Sequence, residues 1–480
     1  MTVVSMKAGM PVEQQISELE SQFARLVTVT TQQPFPEYAE RINDLIRLQK
    51  ALKKHSEALV TALSNDYGHR SRSDTLMADI LPCFQMLHYT KRKLKRWMKP
   101  SRRSTGMLLA PAKVEVHYQP LGVVGIIVPW NFPITLSLIP LITAIAAGNR
   151  AMLKMSEFTP LTAQAVKALL ADAFDEDKVC VVDGDVAVAQ AFTRLPFDHL
   201  MFTGSTEVGK KVMAAAAANL TPVTLELGGK SPVIVAPDIE PLLAAERVLF
   251  GKNLNAGQIC VAPDHVYVHE DNLEEFVEAL RVKWNEAYPK GIDSDDRTAI
   301  VTERQFNRLK ALMDDADKRG ITTIPLADPA IDPEKRKMAL HLVVNPSKES
   351  AIMQQEIFGP LLPIITYKDV HDVINTLRHQ PRPLALYLMT FDKDFIRFVT
   401  QHTHSGSIAV NDTVMQVAVD DTPFGGIGAS GMGHYHGIEG FRTFSHAKTV
   451  FQRGKLNPGK LLSPPYNRWW QKIFFALFLR

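Results

Sequence analysis

From residue 122 onward the chain alternates short, wholly apolar runs with longer segments of helical spacing, and few folds accommodate that pattern. GVVGIIVPW (122–130) is the first such run. A continuous apolar run this short reads as a strand buried on both faces, as in a parallel sheet covered by helices. AMLKMS (151–156), VCVVDG (179–184), DHLMFTG (198–204) and PVTLEL (222–227) repeat it, with helix-like segments between them. The alternation restarts after Gly229 with PVIVAP, DHVYVHE, LLPIITY, LALYLMT and GSIAVND. Strands and helices of these lengths imply right-handed βαβ units. The fold class is therefore α/β, with two such domains in series, and residues 224–264 fall at their junction, where a cleft forms.

The flanks differ. Residues 13–99 carry apolar residues at helical spacing almost throughout. A basic cluster at 91–103, interrupted by Trp97 and Pro100, reads as a solvated helix end whose cations complement the helix dipole. The net charge of only +3 gives no field that would draw nucleic acid. MLLAPAKVEVHYQ (107–119) alternates and predicts a strand or hairpin. A glycine-rich region starts at 422, and the chain ends in RWWQKIFFALFLR. That apolar tail is too short to span a bilayer, so it lies on a membrane surface or packs on a neighbouring subunit. The N-terminus, MTVVSMKAGMPVEQQ, lacks a signal-peptide layout. Three cysteines at irregular spacing form neither a disulfide framework nor a zinc pattern, which points to a reducing, cytoplasmic setting.

The chemistry concentrates at the junction. TLELGGKSP (224–232) places Glu226 before a glycine pair, and GQICVAPD (257–264) places Cys260 after a run of small residues. A thiol and a carboxylate are the parts that trap a carbonyl carbon and then hydrolyse the adduct. A lone cysteine is more often an inert buried thiol, but this setting suits an accessible one. Cys83 and Cys180 sit in core-type helix and strand patterns. Gly204-Ser205 to Gly209 follows a strand and opens a helix, the place for a phosphate on backbone N–H groups, although a plain strand-to-helix turn fits equally. Lys211 replaces the hydroxyl that a phosphate loop uses on magnesium, so an NTPase is disfavoured. Lys154 and Glu157 end a strand, where a cofactor crevice opens and an acid can hold ribose hydroxyls; a surface lysine and a capping glutamate are the alternative. Asn131 is an oxyanion donor or a turn residue. His434 and His436 lack carboxylate or cysteine partners at ligand spacing, so no metal is expected.

Taken together and in order, PWNFP, AAGNRAMLKMSE, FTGSTEVG, LELGGKSP, GQICVAPD, EIFGP, PFGGIGASGMG and FRTFSH resemble the aldehyde dehydrogenase superfamily over nearly the whole chain. VAPD and the chain length resemble its class 3 branch, and HYHGIEGFRTFSH with RPLALYLMT its coniferyl aldehyde dehydrogenase members. The resemblance implies two Rossmann-like parallel-sheet domains and a small β oligomerisation element. It divides the chain into a NAD-binding domain (1–104 and 121–227), a catalytic domain (228–421), a bridging element (105–120 and 422–453) and a tail (454–480). It implies Cys260 as nucleophile, Asn131 and the Cys260 N–H as oxyanion donors, and Glu226 as activator of the hydrolytic water. Trp130, Lys154, Glu157, Gly204, Ser205, Gly209, Glu356 and Phe358 would bind the cofactor, with Glu356 and Phe358 at its nicotinamide half. Glu157 favours NAD, with NADP tolerated. A homodimer is implied, acting on an aromatic aldehyde; a medium- or long-chain aliphatic aldehyde is the alternative. A coenzyme A-acylating relative has no need of Glu226, and a non-catalytic protein on this fold has no need of all three reacting residues. Met155 departs from the proline frequent at that position.

Overall fold

The structure, a computed structural model, describes residues 11–479. The first ten residues, which enter the reading of the N-terminus, and Arg480, the tail's last cation, lie outside the described residues.

Two sheets carry the molecule, as the alternation predicts. The first has five parallel strands in the order Val223–Glu226, His199–Thr203, Val123–Ile127, Arg150–Lys154, Val179–Val182, with the short Gly431–Met432 antiparallel on the edge beside Glu226. Chain order reverses between Val123–Ile127 and His199–Thr203, the crevice position for ligands in open α/β sheets. The second sheet runs Thr323–Pro325, His341–Val344, Leu361–Tyr367, His265–His269, Pro232–Val235, Ala385–Met389, Ser407–Val410, all parallel except the first. Two of its strands, Thr323–Pro325 and His341–Val344, are not expected from the sequence. The first is three residues long and ends in a proline, and His341 breaks the apolar run around the second.

Both faces of the first sheet are covered. The helix Thr135–Ala147 is apolar all round and buried from Ser137 to Ala147, because it lies between the sheet and the long helices Tyr38–Tyr67 and Leu81–Trp97. On the other face Leu19, Phe23 and Leu26 of the helix Val12–Gln32 pack with Val123, Met152 and Phe197. Phe23 meets Phe197 edge-on at 5.0 Å. Each such buried side chain contributes about 1.5–3 kcal/mol. Lys95 and Arg96 occupy the last turn of the helix Leu81–Trp97, where their charge suits the dipole.

A third sheet joins Ser101–Arg103, Lys113–Pro120 and Ser445–Gln452, all antiparallel. The alternating stretch 107–119 is therefore half strand. Met107–Leu109 forms a short 3-10 turn, and Pro111 has no N–H to donate to a ladder. Among the described residues no helix is long and apolar enough to cross a membrane.

Candidate active site

The segment before Cys260 is the most unusual backbone in the chain. Asn255 (φ 49°), Ala256 (φ 52°) and Gly257 (φ 75°) are three successive left-handed residues between the helix Pro241–Asn253 and the cysteine. Each non-glycine residue in that conformation costs roughly 1–2 kcal/mol, less for asparagine. Any side chain at Gly257 would also strike the Gly359 carbonyl, whose oxygen would lie 2.7 Å from the added Cβ. Side chains hold the turn in place. Asn255 N–H donates to Asp74 Oδ2 (3.0 Å), and its Nδ2 donates to the carbonyls of Asn131 (3.2 Å) and Gln258 (3.1 Å). Gln258 Nε2 donates to the Asn255 and Ala299 carbonyls, and its Oε1 accepts from Val301 N–H. The small residues here are plain in the sequence but the left-handed turn is not, because such a turn is fixed by partners far along the chain.

Cys260 stands partly exposed after this turn, whereas Cys83 and Cys180 are buried. Burial, then Glu356, then Glu226 push its thiol up to about 12, while the N–H groups of Cys260 and Val261 favour the anion. Tyr387 O–H fixes the loop beyond it by donating to the Val261 carbonyl (2.5 Å). Asn131 Nδ2 points to the same loop, donating to the Gln258 carbonyl at 3.2 Å.

Glu226 ends the strand Val223–Glu226, and its backbone carbonyl accepts from Gly204 N–H (3.0 Å). The side chain is only 3 % exposed, and neither carboxylate oxygen has a hydrogen-bond partner. Burial raises its pKa well above the ordinary value. A desolvated, unpartnered carboxyl is a ready proton acceptor once ionised.

Glu356 lies over the glycine pair. Its Oε1 accepts from Gly229 N–H at 3.1 Å, and a Cβ on Gly228 would fall 2.1 Å from its Oε2, so only glycine admits this approach. Burial raises it to about 7. Phe358 is left-handed (φ 49°) and meets Trp130 edge-on at 5.3 Å, with Tyr67 beyond Trp130 at 6.5 Å.

Three residues given no role by the sequence hold this loop. Lys230 Nζ donates to Asp264 Oδ1 (2.5 Å) and to the carbonyls of Ile352 and Gln355. Asp264 Oδ2 accepts from Ile357 N–H (2.9 Å), and Arg308 donates to the Glu356 and Ile357 carbonyls. Burial alone would raise the Asp264 pKa, but Lys230, His265 and Lys252 hold it well below the carboxylate range. Lys230 and Asp264 stand inside LELGGKSP and GQICVAPD; only their pairing in space shows what they do.

The cofactor-side residues cluster around the crevice of the first sheet. Ser205 caps the helix Thr206–Ala217 by accepting from Val208 N–H. Gly209 lies inside that helix, where a Cβ would fall 2.6 Å from Leu227, so its place is in helix-to-strand packing. Lys210 turns aside to pair with Glu207. Lys154 is buried, its Nζ donating to the Met155 and Gly184 carbonyls (2.8 Å each), which leaves one of three protons for a ligand. Glu157 is exposed beside it. One free ammonium proton, an exposed acid and a capped helix start fit the ribose and phosphates of a dinucleotide. Among the described residues no cluster of three or more His, Cys, Asp or Glu could hold a metal, and His436 is buried against Phe424.

The family model described as the aldehyde dehydrogenase family matches residues 32–450. A relative named as a probable coniferyl aldehyde dehydrogenase, from Pseudomonas aeruginosa, is 49 % identical over 468 residues, 98 % of each chain. Among solved structures, the substrate-bound state of Staphylococcus aureus AldH superposes with a TM-score of 0.90 at 38 % identity, covering 96 % of this chain and 99 % of that one. A Mycobacterium tuberculosis aldehyde dehydrogenase complexed with NAD+ does so with a TM-score of 0.83 at 26 % identity, covering 92 % and 91 %.

Proposed function

The chain belongs to the aldehyde dehydrogenase family and oxidises aldehydes to carboxylic acids, and from that premise we propose how it does so and on which aldehyde. The observation that carries the reading is Cys260, set on a left-handed turn within the field of Glu226, a buried carboxylate with no partner of its own. The Cys260 sulfur adds to the aldehyde carbon to give a thiohemiacetal, and its proton leaves to a neighbouring carboxylate. The Asn131 amide and the Cys260 N–H meet the oxygen that gains charge. NAD, when bound, would supply the hydride acceptor that turns the adduct into a thioester on Cys260. Glu226 then takes a proton from water as that water adds to the thioester carbonyl, and the acid leaves with Cys260 restored.

Lys154 and Glu157 would hold the adenosine ribose, Gly204 and Ser205 would lie by the pyrophosphate, and Glu356, Phe358 and Trp130 would shape the nicotinamide end. Glu157 favours NAD over a cofactor with an added 2′-phosphate. The substrate is an aromatic aldehyde of the coniferyl type; the relative's name supports this over a long aliphatic chain. NADH and NADPH formation with aliphatic, benzyl-type and cinnamyl-type aldehydes tests it. Cys260→Ala should lose at least ~10⁴-fold in rate. Persisting activity would remove the nucleophile assignment, and preference for a long aliphatic aldehyde would remove the aromatic one.

We also propose a cytoplasmic homodimer. The helix Trp469–Phe478 exposes Trp469, Ile473 and Leu477 and would be covered by the neighbouring subunit or by a lipid surface. Light scattering and vesicle sedimentation of the chain with and without residues 454–480 separate the two.

A further inference from the structure

Arg70 is the most conspicuous buried charge that the reaction does not use. Its side chain is wholly enclosed. Nη1 donates to the Asn131 carbonyl at 2.7 Å, and Nη2 donates to Asp79 Oδ2 at 2.7 Å. Asp79, also enclosed, turns its other oxygen to Thr135 N–H (3.1 Å), the start of the helix Thr135–Ala147. The guanidinium lies between two rings, 5.0 Å from the centre of Tyr67 and 4.8 Å from that of Phe132. Tyr67 O–H reaches the Trp130 and Asn131 carbonyls at 3.3 Å.

The arrangement holds the short loop between the strand Val123–Ile127 and the helix Thr135–Ala147 at its middle, on Trp130 and Asn131, and at its helical end, on Thr135. The Asn131 carbonyl accepts from Arg70, Tyr67 and Asn255, so the backbone that carries the amide has little freedom. Stability does not account for an ion pair here. Apolar residues of similar volume serve a buried position as well or better, and Arg70 Nε is left without a partner. An arginine fork gives direction instead: two donors at a fixed angle, one on Asp79 and one on Asn131.

We infer that Arg70, held by Asp79, is a positioning residue that fixes the Asn131 amide at the oxyanion site for attack by Cys260. Its action runs through Asn131, and the inference rests on the oxyanion reading of that residue. Oxyanion stabilisation requires a donor already in place when charge develops, so loss of the Arg70–Asp79 pair slows the acylation half of the reaction without weakening cofactor binding.

The test is a double-mutant cycle read by the first-turnover burst of NADH. The variants are Arg70→Met with Asp79→Leu, which removes both charges together, and Arg70→Lys, which keeps the charge but serves one acceptor. Each is made alone and with Asn131→Ala. The paired apolar variant should slow the burst about tenfold, with NAD affinity and iodoacetamide alkylation of Cys260 within about twofold of wild type. On the Asn131→Ala background the same change should cost less than about twofold. An unslowed burst, or a full effect on that background, would overturn the positioning role. A wild-type burst in Asn131→Ala alone would instead remove the oxyanion reading, and the positioning role with it. Should the apolar pair not fold, as read by thermal melting, Arg70→Lys carries the same cycle with the same two outcomes.

Discussion

The crevice of the first sheet and the junction around Cys260 treat their polar groups in opposite ways. In the crevice Lys154 already commits two of its protons to backbone carbonyls, Ser205 caps its own helix and the Glu226 backbone is tied to Gly204. At the junction the Glu226 carboxylate has no partner, Asn255, Ala256 and Gly257 are left-handed, and the Cys260 thiol is held protonated. A region that holds a ligand can be satisfied beforehand. A region that makes and breaks bonds keeps groups unsatisfied until the reacting atoms arrive, and neighbouring structure supports the strain. Arg70 and Asp79 supply that support from outside the segments that carry Glu226 and Cys260, and Lys230 with Asp264 supplies it by tying those two segments together.

If this division is right, changes at the junction lower turnover and changes in the crevice weaken cofactor binding. The largest expected effect after loss of the nucleophile is Glu226→Gln, which should reduce steady-state turnover by about 10³-fold while the first NADH burst survives. Glu226 carries a raised pKa, so the wild-type enzyme should lose acid formation as pH falls through that pKa, where the base becomes protonated. A pH profile of acid release with no acid limb would break the assignment. Asn131→Ala comes next, with a loss of about 10²-fold in the burst itself. An unaltered burst with slowed release would place Asn131 in the wrong half of the reaction.

The crevice predictions are smaller. Lys154→Met should raise the KM for NAD by about tenfold with kcat nearly unchanged, which steady-state kinetics at varied NAD would show. A fall in kcat of the same size would blur the division between the two regions. Glu157→Gln should change least, improving use of NADP relative to NAD by about two- to fivefold. No change in that ratio would leave Glu157 as a surface cap.

Much of this is open to reading in the residues. The alternation of apolar runs points to both parallel sheets, since a strand buried on both faces has no other way to appear. Cys260, Glu226 and Asn131 stand in segments whose chemistry is local: a thiol after small residues, an acid at a strand end, an amide after a strand. The supports are not open in the same way. Arg70 and Asn131 are brought together only by the packing of the helix Tyr38–Tyr67 on the first sheet, and Lys230 meets Asp264 only when the second sheet forms. A left-handed Ala256 is invisible in sequence because nothing local prefers it; the neighbouring Asn255 is tied to Asp74 and Asn131, far along the chain. The strand His341–Val344 is hidden because His341 interrupts the apolar run that would mark it.

The whole division stands on Cys260 forming the adduct and Glu226 releasing it. Mass spectrometry of the Cys260 peptide from Glu226→Gln, incubated with NAD and a cinnamyl-type aldehyde, tests that most directly. The expected result is an acyl group on Cys260, one per chain, that persists for minutes and is absent from Cys260→Ala. An unmodified Cys260 in a variant still producing NADH at the wild-type rate would contradict it.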